Sequence, residues 1–147
     1  MGKAMRQYQN IVILTGAGIS AESGVATFRD NGGLWEDYRI EEVATPEAFA
    51  TNPVLVQNFY NMRRAHLHTV ESNQAHDALA RLEREFNGKC MIVTQNVDDL
   101  HERAGSKNVL HMHGELAKVR CVSCGSIHEW FDDCSAGTWC PDCREPA

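Results

Sequence analysis

Four cysteines carry the strongest chemical signal in this sequence, in the pattern Cys121-x2-Cys124-x15-Cys140-x2-Cys143. Each C-x-x-C pair bites one edge of a tetrahedron, and the intervening loop returns the second pair to complete it. Thiolates so spaced bind zinc. All four ligands come from the protein, so no position is left open for water and the site is structural rather than catalytic. A thioredoxin-like redox pair is the alternative for a single C-x-x-C, but two such pairs outside a βα turn argue against it. Cys134 and His128 lie in the loop without a knuckle partner and are set aside as ligands, and Cys90 is a buried hydrophobe in a strand. A second signal is Gly16-Ala17-Gly18-Ile19-Ser20. Placed after a strand, this turn lets backbone N–H groups approach a pyrophosphate at a helix N-terminus. It departs from the G-x-G-x-x-G fingerprint, because position 21 is Ala. A third is Tyr60 and Arg63, i and i+3 on one helical face, where phenol and guanidinium can together clamp a carboxylate. Taken alone, that pair is better read as a half-buried Tyr beside a solvated Arg.

The elements that must position these groups follow from periodicity. Residues 10 to 15 are a short apolar run, a buried parallel strand that breaks into the Gly16–Gly18 turn. A loop-rich stretch follows through Phe28, Arg29 and Gly32-Gly33 to Trp35. From Pro53 the spacing of Leu55, Phe59, Met62 and Leu67 predicts a helix. A second amphipathic helix is expected from about Gln74 to Phe86, with Ala75, Leu79, Leu82 and Phe86 as its core stripe. Cys90 to Thr94 is the next buried strand. Val97 to Ala104 is a short helix closed by Gly105, and Val109 to Met112 a third strand. Strand, helical connection, strand, helix, strand is the start of a doubly wound parallel sheet. The fold class expected is therefore α/β, a partial Rossmann-like parallel sheet with helices plus a small zinc-binding module. The division expected is 1–118 for the nucleotide-binding part, with an insertion at about 25–72, and 119–147 for the zinc module.

Fourteen Lys and Arg against twenty Asp and Glu give a formal net charge of -6. That balance argues against broad binding to nucleic acid or anionic membrane. The longest aliphatic run, Ile11 to Leu14, is far too short to cross a bilayer. The N-terminus has no apolar signal region, and position 6 is Arg where myristoylation wants Ser or Thr. The cytosol is the compartment expected, and it suits cysteines used for metal rather than disulfides.

Taken together, the motifs resemble the sirtuin family in order and spacing. They are Gly16-Ala-Gly-Ile-Ser-Ala-Glu-Ser-Gly24, Thr27-Phe28-Arg29-Asp30, Thr94-Gln95-Asn96-Val97-Asp98-x-Leu100-His101, His113-Gly114 and the four cysteines. The resemblance covers nearly the whole chain from Ile11 onward. It implies an NAD-dependent protein-lysine deacylase that yields nicotinamide and O-acyl-ADP-ribose, with acylated lysine side chains of proteins as partners. By matching position it implies that Gly16, Ala17, Gly18 and Ser20 hold the pyrophosphate, and that Phe28, Arg29 and Trp35 belong to the cofactor loop. Gln95, Asn96, Val97 and Asp98 would line the pocket for nicotinamide and its ribose. Asn96 would orient a hydroxyl or water, and Asp98 would accept the carboxamide N–H. His113 would be the general base, chosen over His111 and His101 by the His-Gly match alone. Tyr60 and Arg63 resemble the Tyr-x-x-Arg pair of the class that removes succinyl as well as acetyl groups, in its bacterial form. Family members continue well past the second knuckle. The expectation is therefore a C-terminally truncated chain, missing the adenosine side of the site and with little deacylase activity of its own. A non-catalytic zinc-bearing remnant and an NAD-dependent ADP-ribosyltransferase are the competing functions.

Overall fold

A computed structural model of the chain describes residues 8–26, 38–135 and 137–145. Strand β1 (Asn10–Thr15) leads into two consecutive 3-10 turns, Ala17–Ile19 and Ala21–Ser23. Helices α1 (Ile40–Val43), α2 (Pro46–Thr51) and α3 (Pro53–Leu67) follow. Helix α4 (Gln74–Glu85), strand β2 (Lys89–Thr94), helix α5 (Leu100–Arg103) and strand β3 (Val109–His111) come next. A hairpin of β4 (Lys118–Arg120) and β5 (Ile127–Glu129) completes the order.

The first sheet has the order β1-β2-β3, all parallel, with Ile13 opposite Ile92 and Val93 opposite Leu110. β4 and β5 pair antiparallel in a separate sheet. The architecture is the expected α/β one, and the differences lie in detail. The Gly16–Ser20 turn enters 3-10 turns, not an α-helix. Helix α5 begins at Leu100 rather than Val97, because the Asp98 carboxylate takes the Leu100 N–H at 3.3 Å and sets the start there.

Burial corrects both helical stripes. In α3 the buried residues are Val56, Phe59, Arg63, Arg64 and Leu67, whereas Met62 is exposed. In α4 they are His76 and Ala80; Ala75 and Leu82 lie on the outside. The α4 face is set by polar contacts that hydrophobicity does not register. Asn73 accepts the Ala75 N–H at its N-cap, and Glu83 accepts the backbone N–H groups of Lys107 and Asn108, each at 3.0 Å.

Candidate functional site

The carboxyl ends of β1, β2 and β3 bring the expected residues together, which is where open parallel sheets place their ligand sites. Ser20, at the close of the first 3-10 turn, is fully buried. Its hydroxyl donates to Asp98 Oδ2 and accepts from Asn96 Nδ2, each at 3.0 Å. Asn96 and Asp98 are themselves buried. A carboxyl group buried this deeply needs such partners, and Asp98 has Ser20 on one oxygen and the Leu100 N–H on the other. The three side chains form one network, anchored to the strand end by the Asn96 N–H donating to Thr94 Oγ1.

Gly16 and Gly18 face open space: a methyl group added at either would meet nothing within 4 Å. Gly16 has an extended backbone (φ -151°) that any residue adopts, so conformation does not demand glycine there. What the pair leaves is room for a ligand against the backbone. Gly16→Ala is accordingly expected to shift folding stability by no more than about 1 kcal/mol. The same change should weaken binding of a dinucleotide about tenfold or more, with thermal melting and ligand titration read side by side. Phe28, Arg29 and Trp35 lie outside the described residues.

Three histidines near the network have different settings. His101 is fully buried, with Nε2 3.0 Å from Thr15 Oγ1 and its ring edge-on to His76 at 4.9 Å between centroids. Burial drives the pKa of both downward, so this is a neutral packed pair. His111 spends both ring nitrogens: Nδ1 donates to the Asn96 carbonyl at 2.8 Å, and Nε2 meets the Glu102 carboxylate at 2.9 Å. Burial opposes its charge, but these bonds prevail and raise its pKa above the ordinary histidine value. His113 differs. It is exposed, and its Nδ1 lies 3.1 Å from the Gln95 carbonyl, which can only accept. Nδ1 is therefore the donor in that contact, and Nε2 is the nitrogen left without a partner among the described residues.

His113 lines a cavity of about 840 Å³, together with Tyr60, Arg64, Val97, Leu116, Val56 and Phe49. Burial pushes the Tyr60 phenol above its ordinary pKa, with the positive charge of Arg63 pulling part of it back. The phenol is thus a neutral donor. Arg63 is buried, with its guanidinium carbon 5.8 Å from the centre of the Phe59 ring. Arg64, which the helical periodicity did not single out, is the α3 arginine that lines the cavity, with Arg120 of β4. Its signal was position, four residues after Tyr60 and three before Leu67, hence on the inward face.

The four cysteines converge. The sulfurs of Cys121, Cys124, Cys140 and Cys143 all lie within 4.8 Å of one another, and the Cys121–Cys143 and Cys124–Cys140 separations are 3.7 Å. A tetrahedral zinc with bonds of ~2.3 Å has edges of ~3.8 Å, so the donor set fits the metal. Each knuckle turns through a left-handed residue after its second cysteine, Gly125 in one and Arg144 in the other. The Cys124 backbone N–H lowers the Cys121 thiol, and the Cys143 N–H leads those that bring Cys140 to about 5. The Glu145 N–H favours the Cys143 thiolate, yet burial and the neighbouring sulfurs push that thiol up to about 12. Four sulfurs this close cannot all ionise without a cation among them. Cys134 stands apart, its backbone held by Asn61. His128 lies outside the four, its Nε2 3.7 Å from Cys140 Sγ.

The sequence pattern of the Sir2 family matches residues 16–145. A relative from Bdellovibrio bacteriovorus named NAD-dependent protein deacylase is 60% identical over 141 residues, covering 95% of this chain and 60% of that protein. A Sir2 homologue solved in complex with NAD is 47% identical with a TM-score of 0.81, and the match covers 94% of this chain and 54% of that one. A Sir2 protein solved with a deacetylated p53 peptide and 3′-O-acetyl ADP-ribose is 32% identical with a TM-score of 0.73, over 96% of this chain and 58% of that one. The chain thus spans about 60% of the length of the curated relatives it matches. Motif order, parallel sheet and four-sulfur site all agree with that match, and the chain belongs to the Sir2 family.

Proposed function

We propose that this chain carries the nicotinamide side of an NAD-dependent protein-lysine deacylase and that His113 is its general base. The observation that carries the reading is the setting of His113: its Nδ1 lies 3.1 Å from the Gln95 carbonyl, and it lines the same cavity as Tyr60 and Val97. NAD, when bound, would supply the ribose carbon for attack by the acyl oxygen, with nicotinamide as leaving group. His113 would accept a ribose hydroxyl proton at Nε2. Asn96 and Asp98, locked by Ser20, form a rigid polar wall beside it. Gly16 to Ser20 offers the backbone against which a pyrophosphate rests. The zinc module supports these elements without touching the chemistry. Reduced cysteines of this kind suit a cytoplasmic setting.

The experiment is nicotinamide release from NAD in the presence and absence of an acyl-lysine peptide, using the chain extended to the length of its relatives. Release that requires the peptide supports the reading. Release coupled to labelling of protein by ADP-ribose would support transferase chemistry instead, and no release would leave a zinc-bearing interaction module. Tyr60 and Arg63 together make a carboxylate clamp for the acyl group in this reading. Arg63→Met should then reduce succinyl-lysine turnover about ten- to a hundredfold more than acetyl-lysine turnover, because only succinyl brings a charge to the hydrogen bond. Equal losses on both would make Arg63 a packing residue.

A further inference from the structure

We propose that Arg64 is a positioning residue for this reaction, fixing the segment that carries His113 to helix α3 and to the returning chain of the zinc module. The inference rests on reading His113 as the base. Arg64 is only 4% exposed, yet its charge is spread over acceptors from three parts of the chain. Nε donates to the Leu116 carbonyl at 3.0 Å, and Nη1 to Asn61 Oδ1 at 2.7 Å and to the Asp132 carbonyl at 3.1 Å. The planar fork of a guanidinium can serve three such acceptors at once, which the point charge of a lysine cannot.

Leu116 is where this matters. It ends a short bridge that leaves His113 through Gly114, whose φ of +85° makes the bend. The Leu116 N–H is already donated to the Val97 carbonyl at 2.8 Å, on the wall of the nicotinamide pocket. Arg64 takes the carbonyl of the same residue, so Leu116 is pinned from both sides. Upstream, Met112 donates to Thr94 at 2.9 Å. His113 therefore sits on a bend whose ends are both fixed. On the other side Asn61 brackets Cys134, donating to its carbonyl and accepting its N–H, each at 2.9 Å. Arg64 and Asn61 together join the chain between the two zinc knuckles to the helix that presents Tyr60. A change in the zinc module thus reaches His113 through one buried cation.

The test uses residues 1–147 with zinc bound, comparing Arg64→Met, Arg64→Lys and Asn61→Ala with the parent by amide hydrogen exchange and by the ring resonances of His113. In Arg64→Met the Leu116 and Cys134 amides should exchange about ten- to a hundredfold faster. The His113 ring signals should move or broaden, while the Ile92 amide keeps its protection. Arg64→Lys should restore part of the Leu116 protection, since an ammonium reaches one carbonyl. Asn61→Ala leaves the Leu116 contact in place but removes one acceptor of Arg64, so it should loosen Cys134 far more than Leu116. Unchanged Leu116 exchange in Arg64→Met would overturn the proposal, as would loss at Leu116 and Ile92 by the same factor. Exchange needs no substrate, so coupling seen in residues 1–147 together with no turnover by the chain extended to its relatives' length would refute the deacylase reading and leave Arg64 holding the His113 segment. Turnover with an unresponsive Leu116 would refute Arg64 alone.

Discussion

His113→Ala, in the chain extended to its relatives' length, is expected to lower acyl-lysine turnover about 10²- to 10⁴-fold, the usual contribution of a general base. Dinucleotide affinity should remain close to that of the parent. The expectation follows from the setting of the ring: Nδ1 lies 3.1 Å from the Gln95 carbonyl, so in the proposed role Nε2 would be the nitrogen that takes the proton. His111→Ala makes the informative comparison. Both its ring nitrogens are engaged, by the Asn96 carbonyl and by Glu102. Its loss should lower stability and loosen the pocket wall, but leave proton transfer itself available. Thermal melting separates the two: His111→Ala should melt below the parent while keeping turnover, and His113→Ala should melt close to the parent without it. Near-normal turnover in His113→Ala, with an inactive but well-folded His111→Ala, would mean that the wrong histidine had been assigned.

Removing the metal should have the other large effect. Structural zinc contributes ~10 kcal/mol or more of apparent binding free energy, and that energy is folding energy for the module it closes. Metal analysis should find one zinc per chain. Cys140→Ser or a strong chelator should release it and melt the β4–β5 hairpin, whereas Cys134→Ser should keep it, because Cys134 takes no part in the cluster. The pH dependence has a definite sign. Zinc requires all four sulfurs as thiolates, and the metal-free cluster holds Cys143 protonated up to about 12. Binding therefore releases protons, and affinity weakens as pH falls. Full metal retention in Cys140→Ser, or loss in Cys134→Ser, would show a different ligand set.

Much of this was legible in the sequence, for reasons that differ by residue. The four cysteines were, because zinc dictates ligand type and spacing so narrowly. The parallel strands were, as short apolar runs, although they are not buried as expected: Val12, Leu14, Met91 and Leu110 are exposed, while Ile92 and Thr94 are buried. The convergence of Ser20, Asn96 and Asp98 could be anticipated only from the family pattern, since no local rule joins residues 78 apart. Helix faces were read less well. Arg63 and Arg64 look like surface charges, and for Arg64 the Leu116 and Asp132 carbonyls, distant in the chain, help make its burial tolerable. His76 and His101 were equally hidden, since a packed imidazole pair leaves no periodic signature. Hydrophobic periodicity counts apolar atoms, and these positions are stabilised by polar satisfaction instead.

The central claim is that the acyl group of a lysine is transferred to the ribose of NAD at the cavity lined by His113. The most direct measurement is mass analysis of the products from an acetyl-lysine peptide and NAD, with the chain extended to its relatives' length. The account predicts deacylated peptide, nicotinamide and O-acetyl-ADP-ribose in equal amounts, and the loss of all three in His113→Ala. Free acetate formed without NAD consumption, or ADP-ribose attached to protein with the acetyl-lysine intact, would contradict it.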